Sequence, residues 1–355
     1  MNEKGQLLEP SIDFSWLERF FPPHVAEKIP GILLTAIISA LALYTSSRVS
    51  YVSPLVAAMG IGMIIRNFFI VPRFYFPGIF FAMRPVLRLG IVLLGAKITL
   101  EKVLGLGWQY MVIPALSLLA GLFFVYYLGR LFGISKKMSL LLGMGTSICG
   151  ASAVLVGGSL VKAKEEDTIV SISAITVFGT LSMLIYPLLY TGFLHFLNPE
   201  EYGLWVGASI HEVAQVVTAG FSAGKDSGEV AVLTKLVRVI LMLPLAFILS
   251  VLVGQGFFME KKEEETRRER VLSFPLFLLG FAGVVILNSM DFFTPKAQKW
   301  MEFSALFFLL MGMAGMGLET DFRRLLRIGF APFFVGLIST LFMSAFSLFL
   351  IWFLR

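Results

Sequence analysis

The chain has 355 residues, of which 57% are hydrophobic and only 15% charged, with a mean hydropathy of +0.85. Soluble domains carry about a quarter charged residues, so these values exclude a soluble globular protein and indicate an integral membrane protein. The formal net charge of +6 calls for no nucleic-acid partner, because basic residues on cytoplasmic loops supply it, and Cys149, the single cysteine, cannot form an intramolecular disulfide.

Residues 1–29 place Glu3, Glu9, Asp13 and Glu18 ahead of any long apolar run, with Trp16, Leu17, Phe20 and Phe21 interrupted by Pro22 and Pro23. That pattern predicts an N-terminal interfacial segment rather than a cleaved leader. A transmembrane transporter domain is expected over 30–355. Apolar runs predict spans near 30–47, 52–66, 78–99, 104–129, 138–161, 168–192, 202–223, 229–254, 272–289, 301–318 and 330–353, each close to the ~20 residues that cross a bilayer. The expected fold is an all-α polytopic membrane protein of about ten to eleven transmembrane helices.

The long charged connection 257–271 is rich in Lys, Arg and Glu and is expected in the cytoplasm with Arg66, Arg73, Arg130, Lys136, Lys137, Arg323, Arg324 and Arg327. The sparser opposite side would receive Lys97, Lys102, Lys162, Lys164, Lys225, Lys296 and Lys299. This gives a cytoplasmic N-terminus and an external C-terminus.

Two segments resemble one another. Residues 145–154 read Gly-Thr-Ser-Ile-Cys-Gly-Ala-Ser-Ala-Val and residues 207–216 read Gly-Ala-Ser-Ile-His-Glu-Val-Ala-Gln-Val. Glycine and small polar residues weaken a mid-membrane helix, where each freed backbone group needs another partner. Accepting that cost twice, in related words, points to a site built from two broken Gly-rich helices at the bilayer midplane. The blander alternative is a pair of small-residue helix-packing seams. Re-entrant hairpins at these segments would alter the span count without moving the charged loop. A weaker echo relates Gly95, Ile98 and Glu101 to Gly315, Leu318 and Asp321, each set closing an apolar helix at opposite membrane sides. Such inverted repeats are common in transporters.

His211 and Glu212 fall inside the 202–223 segment, where ionisable residues usually face a cavity or a partner. Helical spacing brings Gln215 within reach of both. Histidine titrates near neutrality, so the pair could load and release a proton as a site alternates between membrane sides; alternatively it ties helices together. Arg84 and Arg88 share one helix face, as do Lys235 and Arg238. Snorkelling accounts cheaply for Arg84 and Lys235, whereas Arg88 and Arg238 are the candidates to hold an anion through the planar guanidinium fork. Thr146, Ser147, Cys149, Gly150, Ser152, Ser209, His211 and Gln215 complete the candidate substrate-binding set, with Glu212 and His211 the candidates for ion coupling. An apolar setting discourages thiolate formation, so Cys149 is not expected to be a nucleophile. No cofactor, metal or catalytic residue is expected; the coupling ion is H⁺ or Na⁺.

At residues 145–153 and 207–216 the chain resembles the sulfate exporter family of bacterial inner-membrane proteins, with the likeness running from about residue 30 to the C-terminus. The His-Glu-Val-Ala-Gln string at 211–215 is its most specific part. More distantly, Met-Gly-Met-Ala-Gly-Met-Gly-Leu-Glu-Thr-Asp-Phe at 311–322 is similar to bile-acid:sodium-symporter-like transporters. The resemblance implies a panel and a core domain, the latter with two crossing discontinuous helices from oppositely oriented repeats. One apparent span separates the two Gly-rich segments, which would make them parallel unless one is re-entrant or the count is off by one.

The expected function is therefore secondary active transport of a small anion resembling sulfate, sulfite or a sulfonate in the bacterial inner membrane, by alternating access and with proton coupling. The alternatives are a sodium-coupled organic-anion symporter and, from another class, an intramembrane enzyme using His211 and Glu212. The expected partners are a small anionic solute, the lipid bilayer and, as an open option, a second copy of the chain.

Overall fold

Helices make up every regular element that a computed structural model describes over residues 22–48, 53–105, 107–254, 276–321 and 329–355. Seven of these helices are long and apolar enough to cross a membrane: Pro23–Arg48, Arg73–Lys97, Gln109–Leu131, Glu165–Gly192, Lys225–Leu249, Pro295–Glu319 and Phe330–Phe353. Pro54–Phe68 and Phe277–Ser289 are shorter apolar helices. Most of the expected interfacial segment and all of the charged connection lie outside the described residues. The chain divides into two compact units, Met1–Thr99 with Leu279–Phe322, and Leu100–Leu278 with Arg323–Arg355.

The first unit contains α1 (Pro23–Ala26), α2 (Ile29–Arg48), α3 (Pro54–Phe68), α4 (Phe76–Phe81), α5 (Leu87–Leu94), α14 (Leu276–Ser289, from Leu279) and α15 (Pro295–Glu319). A π-helical turn over Ala82–Val86 joins α4 to α5 and contains Pro85. Proline has no N–H for the helical ladder, and a local widening of the turn accommodates it. Helices α5 and α15 run antiparallel. Gly90 faces Ala305 and Leu309, Leu87 covers Gly312, and Met83 covers Gly315. Lys97 pairs with Glu302 at one end (3.3 Å) and Arg66 with Asp321 at the other (3.3 Å). The Gly95 and Gly315 echoes thus close helices at opposite ends of this unit.

The second unit contains α6 (Leu100–Gly105), α7 (Gln109–Leu131), α8 (Lys136–Ser147), α9 (Ala151–Leu160), α10 (Glu165–Gly192), α11 (Pro199–Ser209), α12 (Val213–Ser222), α13 (Lys225–Gly254) and α16 (Phe330–Phe353). Helices α8 and α9, of 12 and 10 residues, rise about 15–18 Å each, half of a bilayer core. They do not continue one another. Val154 packs on Gly145 and Met144 on Gly157, while the Lys137 ammonium donates to the Lys162 carbonyl (3.0 Å). The chain enters, turns at 148–150 and returns to the face it left. Helices α11 and α12 do the same: the Tyr202 hydroxyl, near the start of α11, donates to the carbonyl of Ala219 near the end of α12 (3.0 Å).

Both Gly-rich segments are therefore re-entrant hairpins, and because α10 crosses between them they enter from opposite faces. The first face holds Arg130, Lys136 and Lys137 together with Lys162 and Lys164. This corrects the expectation that placed Lys162 and Lys164 opposite Lys137. The second face holds the start of α11 and the C-terminus, where the Arg355 guanidinium grips Glu201 with two bonds of 2.6 Å. The expected relation between the two segments also changes: the hairpins are inverted with respect to each other.

Candidate functional site

Helices α8 and α11 each end at a Ser-Ile step, and three residues separate each from the helix that follows, but the caps differ. Helix α8 begins on the Ser135 hydroxyl, which accepts from Met138 N–H, and stops at Ile148, whose φ of −110° and ψ of −89° leave the helical basin. Gly150 then takes φ +71°, a left-handed conformation that costs little only for glycine. Helix α11 begins in a capping box of Asn198 and Glu201, with Pro199 in its first turn, and gives way to extended backbone at Ile210. The two hairpin tips, 148–150 and 210–212, meet inside the unit.

A helix C-terminus leaves its last carbonyls without intrahelical partners, and here two such ends converge among buried residues. Met144 O accepts from Ile148 N–H and Gly145 O from Gly150 N–H. Arg238, on α13 and fully buried, supplies most of the rest. Its Nε–H donates to Ser147 O (2.7 Å) and its Nη2–H to Thr146 O (2.8 Å). Its Nη1 donates to Gly207 O, Ala208 O and Ile210 O at 3.1, 2.8 and 3.1 Å. One turn earlier, the buried Lys235 ammonium donates to Ile210 O at 2.7 Å. Two cationic side chains therefore sit at the negative ends of two helix dipoles, where they are favoured. Arg238 was expected to hold an anion with its fork; the structure commits that fork to backbone carbonyls. Lys235 is equally buried and does not snorkel to an interface.

The positive ends of α9 and α12 meet on the other side of the tips, at Glu212. Its carboxylate caps α12 by accepting from the Gln215 N–H, and the Gln215 Oε1 accepts from the Glu212 N–H (3.2 Å). Glu212 Oε1 also accepts from the Thr176 hydroxyl of α10 (3.3 Å), and its side chain lies against Gly150, the residue before α9. The Gln215 amide orientation follows from its partners: Nε2 donates to Thr176 O (3.2 Å) and Thr180 Oγ1 (3.3 Å), so only Oε1 is left to accept. Glu212 is half-buried, whereas His211 and Gln215 are buried.

His211 binds the two hairpins to α16. Its Nδ1 donates to the Thr146 carbonyl (3.3 Å), since a carbonyl can only accept. Its Nε2 meets the Thr340 hydroxyl at 2.9 Å, and that hydroxyl lies 2.8 Å from Gly336 O. A neutral imidazole accepts the hydroxyl proton through Nε2; an imidazolium donates to the hydroxyl oxygen and leaves its proton for Gly336 O. Thr340 can therefore answer to either protonation state of His211.

The remaining expected residues are placed less centrally. Thr146 and Ser147 contribute their carbonyls. The Ser209 hydroxyl donates to Trp205 O (2.5 Å), and Cys149 is buried with its sulfur 3.9 Å from that of Met242. Ser152 lies on an exposed face of α9. Arg88 is on the exposed side of α5 in the first unit, whereas the other candidates all belong to the second unit. Sequence reasoning missed Thr176, Thr180 and Thr340. The four-residue spacing of Thr176 and Thr180 on α10 was a visible signal, while nothing in the sequence sets Thr340 apart from Ser339, Ser344 and Ser347 of the same helix.

Comparison with known proteins adds kinship. A family model described as conserved hypothetical protein 698 matches residues 30–336. A UPF0324 membrane protein of Listeria monocytogenes is 36% identical over 323 residues, covering 90% of this chain and 94% of its own length. A UPF0324 membrane protein of Bacteroides thetaiotaomicron is 32% identical over 317 residues, covering 87% of this chain and 93% of its own. The UPF0324 inner membrane protein YeiH of Escherichia coli is 32% identical over 318 residues, covering 87% and 89%. No solved structure matches.

Proposed function

The chain belongs to the conserved hypothetical protein 698 family, shared with the UPF0324 membrane proteins, and we propose that it is a secondary active transporter of a small anion, coupled to protons. The observation that carries this reading is the meeting of two re-entrant hairpins, entered from opposite faces, at a cluster of buried ionisable residues. Irregular backbone at membrane depth is tolerated where it is buried in protein or lines an aqueous cavity, and two such breaks facing each other make a site that either face can reach. Sulfate, sulfite and small sulfonates are the proposed substrates, as in the resemblance to sulfate exporters. The placement proposed is a bacterial inner membrane with the first face cytoplasmic, since that face holds Arg130, Lys136, Lys137, Lys162 and Lys164 against Lys225 and Arg355 on the second.

Charge explains the coupling. Lys235 and Arg238 place two cationic groups behind the tips, and Glu212 places one carboxylate in front of them. An ionised Glu212 and a bound anion would repel each other by about 3 kcal/mol at roughly 5 Å and an effective dielectric near 20, more than a hundredfold in affinity. Protonation of Glu212 removes that repulsion, so proton and anion load together and leave together. Sodium coupling finds less support, because Gln215 turns Nε2 rather than Oε1 toward Thr176 and Thr180. The test is flux of labelled sulfate and sulfite into proteoliposomes with and without a pH gradient. Wild type should accumulate anion when the gradient is imposed. Glu212→Gln keeps the side chain's shape and should bind and exchange anion without accumulating it. Accumulation by the variant equal to wild type would refute the role of Glu212.

A further inference from the structure

The two hairpins differ in one respect that their similar sequences do not announce. Helices α11 and α12 are buried from Tyr202 through Ser209 and again from Ala214 through Gly220. Tyr186 stacks on Trp205 at 3.9 Å and Tyr190 on Tyr202 at 4.3 Å, and the Trp205 indole N–H donates to Ser344 O at 3.1 Å. Between Glu212 and the second face there is packed protein. Helix α9, by contrast, buries Ala153, Val154, Gly157 and Gly158 but leaves Ser152, Leu155 and Ser159 exposed. Its neighbour α10 holds Ser173 and Thr176 half-buried, and Thr176 donates directly to Glu212.

These positions span the depth of the first half of the membrane. Ser159 is one residue from the end of α9. Ser173 is eight residues into α10, about 12 Å at helical rise, and Ser152, Thr176 and Glu212 lie at the tips. A half-exposed carboxylate at that depth is not stable against lipid and belongs beside water or a polar partner. Resting on the reading of the tips as the transport site, we propose that this structure is the state open to the first face: Ser159, Ser173, Thr176 and Ser152 line an aqueous path from Lys162 and Lys164 to Glu212, while the α11–α12 hairpin with its aromatic cluster closes the second face. The competing account is that these hydroxyls face lipid. Ser159 and Ser173 donate to Val156 O and Ile169 O of their own helices at 2.9 and 2.8 Å, and such back-bonding lets serine sit in a membrane surface.

Thiol accessibility separates the two. In a Cys149→Ser background, single cysteines are placed at Ser152, Ser159 and Ser173, and at Leu181, an exposed apolar position on α10. Lys164→Cys and Glu200→Cys mark the first and second faces in the same vesicles. Only a thiolate in contact with water attacks a charged, membrane-impermeant thiol reagent, so Ser152→Cys and Ser173→Cys should react from the first face roughly tenfold or more faster than Leu181→Cys, and not from the second. Rates equal to that of Leu181→Cys, or reaction from the second face, would overturn the proposal. If Cys149→Ser does not fold, the same cysteines go into the otherwise unaltered chain, with its own buried Cys149 as the blank. Accessibility needs no transport activity: first-face reaction without sulfate or sulfite flux would keep the path and refute the transporter reading. Slowing of Ser152→Cys modification by sulfate or sulfite would support both.

Discussion

If Arg238 pins the two hairpin tips rather than gripping substrate, its removal must destabilise the protein even when no anion is present. In Arg238→Met, Ser147 O, Gly207 O and Ala208 O lose their side-chain donor, while Thr146 O keeps His211 and Ile210 O keeps Lys235. A buried polar group left without a partner costs about 1–3 kcal/mol. The three losses are partly offset, because the desolvated guanidinium charge goes with them, so a net cost of about 3–5 kcal/mol is expected. At about 2–4 °C per kcal/mol, the apparent melting temperature should fall by roughly 10 °C. Arg238→Lys should recover part of this, since an ammonium brings three donors from one point rather than a planar fork. The assay is thermal unfolding of purified protein in detergent, without anion and with saturating sulfate. An anion-free melting temperature within 2 °C of wild type (about 1 kcal/mol or less), together with lost anion affinity, would refute the pinning and restore Arg238 as a ligand.

Lys235→Met should cost less, about 1.5 kcal/mol, because Ile210 O retains its bond from Arg238; the same melting measurement ranks the two variants, and a larger loss for Lys235→Met would contradict the division of labour. Gly150→Ala should be destabilised by about 1–3 kcal/mol and slowed in flux, since its φ of +71° disfavours a side chain and the new Cβ would overlap Glu212 Cγ; flux and melting at wild-type values would show that the tip relaxes freely. At the second face, the bonds from Arg355 hold the Glu201 carboxyl below its usual range. A carboxyl depressed in the folded state contributes stability above its unfolded pKa, about 4.3, and that stability is lost as pH falls through the folded value. Between pH 6 and pH 3, wild type should therefore lose more stability than Glu201→Gln, and parallel curves would contradict the pairing.

Hydropathy and spacing made the membrane class, the apolar spans and the two broken segments legible, because each depends on residues adjacent in the chain. His211, Glu212 and Gln215 were legible for a related reason: charge and amide groups in an apolar run demand partners wherever they fold. The capping of α12 by Glu212 and Gln215, three residues apart, is equally local. Whether an arm of 10–12 residues crosses or doubles back is a different matter. It depends on what covers its far side, such as Val154 against Gly145 or Tyr202 reaching Ala219, and hydropathy is the same either way. That is why Lys162 and Lys164 were assigned to the wrong face.

The use made of Arg238 was hidden more deeply. Its partners are carbonyls of Thr146, Ser147, Gly207, Ala208 and Ile210, and a backbone carbonyl carries no signature of residue type. An arginine in an apolar helix reads equally as an anion ligand or as a strut until the helix ends that need donors are located. Sequence alone therefore determined that this chain spans a membrane, breaks two helices and places an acid and a histidine at one break. Tertiary packing decided that the breaks face each other from opposite sides and that the buried arginine serves the backbone, because a helix end makes its demand in space rather than along the chain.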